Sequence, residues 1–243
     1  MQVWSLTDPG CVRTENQDAL EVLNLKRKGM LCVVCDGMGG AKAGDVASSM
    51  AAREFAQEIS DKLRLSMSKE ALDDLLEQAV ARANLAVYNQ AKESSQFSGM
   101  GTTLVAVLLR GKLATVVNVG DSRVYRVNED SITQITVDHS LVQLMIQRGD
   151  LSQEQASHFP GKNLITRAIG TESSVKGDLF HVDVKRGDHL LLCTEGLTNL
   201  VHDQEIMYEI LHGTNKAECC QRLLDIAKKR GAPDNVTSIL VQI

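Results

Sequence analysis

The chain has 243 residues, enough for one well-buried domain, and its 43% hydrophobic and 23% charged content is ordinary for a soluble globular protein. A formal net charge of −5 excludes the basic field that holds nucleic acid, and no run of Lys and Arg marks a membrane surface. No stretch is apolar for long enough to span a bilayer, and residues 1–10 lack the basic segment and apolar run of a signal peptide.

Apolar patterning predicts the elements in chain order. Residues 3–6 and 19–25 read as short strands, and 30–35 is a continuous apolar run, the pattern of a strand buried on both faces. Two long helices follow. Ala47, Ala51, Phe55 and Ile59 recur every fourth residue, and Leu72, Leu75, Leu76, Ala79, Val80, Ala83 and Val87 form an apolar stripe. The period then shortens. Residues 102–109 and 113–119 are β-rich and flank Arg110, Gly111 and Lys112, a hairpin pattern, and 123–127 and 132–136 are expected to extend that meander. A more polar stretch, 141–163, carries two short helical patterns, with His158 read as a solvated surface residue. Residues 180–184 and 189–194 read as a strand pair joined by a turn at 185–188. Ala217, Cys220, Leu223, Leu224 and Ala227 mark a last helix that Asn215 and Glu218 suit as caps, and 236–241 closes the chain as a strand. Strands in antiparallel runs, paired helices and no internal repeat predict one α+β domain over residues 1–243.

The six cysteines include a C-x-x-C at Cys32 and Cys35, but no second ligand pair accompanies it. Reduced core cysteines and a cytoplasmic location are the expectation.

Chemistry is concentrated where apolar strands end in an acid. Residues 31–35 lead into Asp36 and Gly37, 190–194 into Glu195 and Gly196, and 116–120 into Asp121. Asp18 and Asp234 precede two further strands. Asp-Gly pairs are common in turns, so each acid alone has an ordinary explanation. Five together are a different matter: carboxylates buried near one another repel, and hard divalent cations such as Mg²⁺ and Mn²⁺ offset that cost through oxygen ligands. Glycine beside the acid lets a backbone carbonyl approach the metal. The glycine-rich stretch 37–44 is neither a P-loop, since Asp45 follows Gly44, nor a dinucleotide fingerprint, since position 42 is Lys.

Nine motifs stand in order along the chain. They are Thr7-Asp8-Pro9-Gly10, Arg13-Thr14-Glu15-Asn16-Gln17-Asp18, Asp36-Gly37-Met38-Gly39-Gly40, Gly101-Thr102-Thr103 and Gly120-Asp121-Ser122-Arg123. Asp138-His139-Ser140, 164–170, Thr194-Glu195-Gly196-Leu197 and Asp234-Asn235-Val236-Thr237 complete the series. In these residues the chain resembles the metal-dependent protein phosphatases, the type 2C serine/threonine family, and its small bacterial branch in particular. The resemblance implies a four-layer α-β-β-α sandwich of two stacked antiparallel sheets flanked by helix pairs. It also implies two divalent cations, Mn²⁺ or Mg²⁺, with a third, weaker one. By similarity Asp36 bridges both ions, the carbonyl of Gly37 binds the first, and Glu195 and Asp234 bind the second. Asp18 belongs to the same cluster, Asp121 helps hold the third ion, and Arg13 holds the substrate phosphate. A water activated between the cations would then hydrolyse phosphoserine or phosphothreonine. Expected partners are phosphorylated proteins, products of a Ser/Thr kinase and the kinase itself among them, with no nucleic acid, no membrane and a monomeric enzyme.

Two positions depart from the family's usual pattern. Position 195 is Glu in place of Asp, which lengthens one ligand arm by a methylene. Position 38 is Met, so no general acid can reside there. The rival readings are a pseudophosphatase that binds without turnover because of Glu195, and a phosphatase dedicated to one regulator, such as an anti-sigma antagonist. Arg13 has an alternative partner in Glu15, and His139 reads as structural, with Asp138 or Ser140 capping the helix that follows.

Overall fold

Strands that lead to the acids alternate their side chains between two apolar environments, and this alternation builds the layers. The computed structural model describes residues 1–157, 159–161 and 163–243, with the backbone alone at 40–42, 153 and 157; His158 therefore lies outside the described residues. One sheet contains β1 (Gln2–Asp8), β7 (Arg123–Val127), β8 (Ile132–Gln134), β10 (His189–Cys193) and β11 (Val236–Gln242), in the order β1-β11-β10-β7-β8. The other contains β2 (Asp18–Asn24), β3 (Met30–Met38), β5 (Leu104–Arg110), β6 (Leu113–Val119) and β9 (Asp178–Asp183), in the order β2-β3-β5-β6-β9. The two-residue β4 (Gly101–Thr102) pairs with the end of β3.

Leu31, Val33 and Cys35 of β3 pack against α1 (Gly40–Lys62) and α2 (Lys69–Glu93), while Cys32 and Val34 face the second sheet. On β10, Leu191 and Cys193 pack toward α6 (Asp203–His212) and α7 (Cys219–Lys229), and Leu190 and Leu192 enter the space between the sheets. The result is the expected four layers. A strand with both faces covered reads as unbroken apolar sequence, which is why residues 30–35 and 190–193 looked as they did. Each fully buried Leu, Val or Phe in these layers contributes about 1.5–3 kcal/mol. All six cysteines are free, and burial pushes the Cys32 and Cys193 thiols up to about 12, so neither supplies a thiolate at neutral pH.

Two expected strand pairings are corrected. β7 and β8 do not extend the β5–β6 hairpin; at Gly120–Ser122 the chain crosses to the other sheet, where β7 pairs with β10. β9 and β10 are not paired either. The turn at 185–188 exists, with Asp188 N–H donating to the Lys185 carbonyl at 3.0 Å, but it carries the chain from β6's sheet to β11's. Strands buried on both faces look alike in sequence, so the pattern could not say which sheet receives them. Helix α6 was also missed, although Glu205 closes a capping box with His202 and Ile206 and Ile210 recur at helical spacing. The two patterns in 141–163 form α3 (Leu141–Arg148) and α4 (Gln153–Ser157), and Ser140, not Asp138, caps α3.

Candidate active site

The acids gather at one end of the sandwich because β3, β6 and β10 finish there and β2 and β11 begin there. Asp18 opens β2 directly across from Asp36 near the end of β3. Asp121 sits on the crossover turn after β6. Glu195 is the first residue of α5 (Glu195–Thr198), immediately after β10, and Asp234 stands two residues before β11.

Asp18 is buried, and its Oδ2 accepts from the hydroxyls of Thr194 at 3.0 Å and Thr237 at 2.6 Å, so this carboxylate of one sheet is held by the other. Its Oδ1 has no donor among the described residues. Burial raises Asp18 to about 6; the two threonine hydrogen bonds act against that, and the charge of Asp234 adds to it. Asp36 is raised well above the usual carboxylate range, first by burial and then by the negative charges of Asp18, Asp121, Asp234 and Glu195. Asp121 rises to about 7, through burial and the charges of Glu195 and Asp138. The other four sequence-predicted acids thus all act on Asp36. Among the described residues no three of them close into a preformed ligand cage. The donor set is nonetheless all oxygen, with a buried carboxylate oxygen left unsatisfied, which fits a hard divalent cation better than a soft one.

The backbone beside Asp36 is pinned. Its N–H donates to Thr103 Oγ1 at 2.9 Å, and its carbonyl accepts from Thr103 N–H at 2.9 Å and Thr102 Oγ1 at 2.8 Å. The glycines after the acids also have a packing reason. A Cβ at Gly37 would lie 2.1 Å from the Gly44 carbonyl oxygen, and one at Gly196 would lie 1.9 Å from that of Asn235. What these glycines admit is the chain's own backbone.

Arg13 is paired with Asp234, not Glu15: Nε lies 3.1 Å from Oδ1 and Nη2 donates to Oδ2 at 3.2 Å. Both are more than half exposed, so the pair itself adds little stability. The two-pronged geometry is the one a guanidinium offers to phosphate. Arg13, Gly37, Met38, Asp234 and Asn235 line a cleft of about 510 Å³, and a second cleft of about 390 Å³ runs between Asp121, Glu195 and α3.

Three groups of supporting residues carried no assigned role in the sequence. Asn235 accepts from Gln17 N–H at 2.8 Å and donates to the Glu15 carbonyl at 2.9 Å and the Pro9 carbonyl at 3.1 Å, tying the Arg13 loop to the Asp234 turn. Thr194 and Thr237 position Asp18. The third is a relay through His139, whose structural reading holds. Gly120 N–H donates to His139 Nδ1 at 3.0 Å, so the ring proton sits on Nε2, 3.2 Å from Asp178, which in turn accepts from Arg167 at 2.6 Å. Burial lowers His139, keeping it neutral at pH 7. Asn235, Thr194 and Thr237 lay inside motifs already noted, and their Thr and Asn character beside acids was the available signal.

Comparison with known proteins agrees with this fold. The profile of the family described as Protein phosphatase 2C matches residues 12–238. The chain is 38% identical over 237 residues to the serine/threonine phosphatase stp of Listeria innocua, covering 97% of this chain and 93% of that one. It superposes with a TM-score of 0.94 and 34% identity on the crystal structure of the serine/threonine phosphatase Stp1 from Staphylococcus aureus, over 100% of this chain and 95% of the other. The catalytic domain of the serine/threonine protein phosphatase PstP, solved in complex with two manganese ions, matches at TM-score 0.84 and 32% identity over 99% and 97% of the two chains. The four layers and the match along nearly the whole sequence lead to one assignment: the chain belongs to the protein phosphatase 2C family.

Proposed function

We propose that the chain is a metal-dependent phosphoprotein phosphatase that hydrolyses phosphoserine and phosphothreonine in proteins phosphorylated by a Ser/Thr kinase, with the kinase itself among its substrates. The observation that carries this reading is the convergence of four negative charges on the buried carboxyl of Asp36. A fold would not keep such repulsion without a use for it.

Asp36, the Gly37 carbonyl, Asp18, Glu195 and Asp234 would hold two divalent cations, Mn²⁺ or Mg²⁺, and Asp121 a third, weaker one. When bound, such ions neutralise phosphoryl charge and activate a water. The protein's own part is positioning. Thr194 and Thr237 hold Asp18 by one oxygen and leave the other available. Thr102 and Thr103 fix the backbone of Asp36. Neutral His139 fixes the turn before Asp121. Arg13, on a loop anchored by Asn235, exchanges Asp234 for the substrate phosphate. Met38 lines the cleft without a proton to give, so the departing hydroxyl takes its proton from water.

Hydrolysis of p-nitrophenyl phosphate across a Mn²⁺ titration tests this, with melting temperature read alongside. Wild type should turn over and gain stability with Mn²⁺. Asp36→Asn should lose on the order of 10³-fold in kcat, about 4 kcal/mol of transition-state stabilisation, and most of the thermal shift. Glu195→Asp should stay active at a shifted Mn²⁺ requirement. Equal rates in wild type and Asp36→Asn would refute the site. A Mn²⁺-induced shift without any turnover would favour the pseudophosphatase.

A further inference from the structure

The end of the molecule opposite Asp36 gathers the basic run Lys26-Arg27-Lys28 with cations from elsewhere in the sequence. Six residue steps of β3 separate Met30 from Asp36, so at about 3.3 Å per residue the two ends lie about 20 Å apart. Three turns meet at the Met30 end: the 3₁₀ turn Lys26–Lys28, the link between α1 and α2, and the β5–β6 turn. Gly29, at φ +134°, lets the first approach the last so closely that a Cβ there would lie 2.4 Å from the Leu109 carbonyl oxygen.

Between the turns lies a pocket of about 400 Å³. Arg27, Lys28, Lys69 and Arg110 line it with the apolar Leu65 and Leu72, and no acid is among its lining residues. Several cations elsewhere on the surface find acids: Arg123 binds Asp138, Arg222 binds Glu209, Lys228 binds Asp8 and Arg230 binds Glu205. None of the four pocket cations forms an ion pair among the described residues. Arg110 is already held in place, donating from Nη2 to the Leu65 carbonyl at 2.8 Å. In a chain of net charge −5, this is a local reversal of sign, far from the acids.

Four cations around a small volume repel one another, and a multivalent anion relieves that repulsion. A phosphomonoester carries close to two charges and oxygens that match the guanidinium fork. The apolar residues suit the side chains flanking it, and a concave pocket of this size takes a side chain and its neighbours better than a flat lipid surface. We infer that this pocket is a second, non-hydrolytic docking site for a phosphorylated segment of the protein substrate. The inference rests on the phosphatase reading, which supplies partners bearing more than one phosphate. A substrate held here presents a second phosphosite to the acidic end, about 20 Å away along β3, a span of at least six or so extended residues.

The double variant Arg27→Glu/Lys69→Glu tests the docking site, because neither residue belongs to the hydrolytic machinery. With multiply phosphorylated casein, its KM should rise about tenfold with kcat unchanged, and added salt should shrink the difference. With p-nitrophenyl phosphate, kcat/KM should stay within twofold of wild type, and the conservative Arg27→Lys should behave as wild type toward casein. A casein KM unchanged in the double variant, or equal losses on both substrates, would overturn the proposal. Fluorescence anisotropy with a doubly phosphorylated peptide and metal-free protein decides the matter even if wild type shows no turnover: binding must weaken in the double variant. Inorganic phosphate binding as tightly as the peptide would make the pocket a free-phosphate site. Sedimentation with phosphatidylglycerol vesicles, abolished by the double variant while casein kinetics stay unchanged, would make it a membrane contact. Either result ends the docking reading.

Discussion

The two ends of the sandwich carry opposite charge and manage it in opposite ways. At the acidic end the carboxylates other than the exposed Asp234 are buried or half-buried, and Asp18 is held across the sheets by Thr194 and Thr237. At the basic end the cations ride on turns, with Arg27 and Lys69 exposed to solvent. Repulsion inside the structure is costly and needs a scaffold to sustain it; repulsion on the surface is screened by water and ions. The acidic end should therefore be intolerant of conservative change, and the basic end indifferent to it in stability.

The largest effect should come from Thr237→Val. It removes a donor to a buried carboxylate and should cost about 1–3 kcal/mol, a fall of several degrees in Tm by calorimetry. A Tm within a degree of wild type would show that Asp18 does not depend on the second sheet. Next is His139→Ala, which leaves Gly120 N–H without its acceptor and Asp178 without its ring partner. A loss of about 1–2 kcal/mol is expected, partly recovered in His139→Asn, whose amide oxygen can accept from Gly120. No recovery in the Asn variant would place the weight of the relay on Asp178. The smallest effect belongs to Lys112→Ala at the basic end, expected within about 0.5 kcal/mol of wild type by urea denaturation. A larger loss there would mean that the surface cations are structural after all, and the contrast between the ends would fail.

Much of the acidic end was legible beforehand. Asp36, Asp121 and Glu195 each follow an apolar run long enough to be a strand, and a charge at the end of a buried strand is conspicuous. The helices were readable because Ala47, Ala51, Phe55 and Ile59 keep one face. Sheet membership was not readable. β7 and β10 pair with each other across more than sixty residues of sequence, and nothing in either segment names its neighbour. The roles of Asn235 and Thr194 were hidden for a related reason: their partners, Gln17 and Asp18, lie at the other end of the chain. The basic pocket showed only as the run Lys26-Arg27-Lys28, because Lys69 and Arg110 join it from two turns far away in sequence.

The register of β1 with β11 has a consequence for the order of assembly. The first strand lies against the last along its whole length, from Gln2 opposite Gln242 to Asp8 opposite Val236. That pairing has about the greatest sequence separation the chain allows, and such contacts form late. Asp18 reaches Thr237, and Arg13 reaches Asp234, only once the strands are joined. During synthesis the catalytic end therefore stays unfinished until β11 emerges, and a growing chain cannot act on phosphoproteins before then.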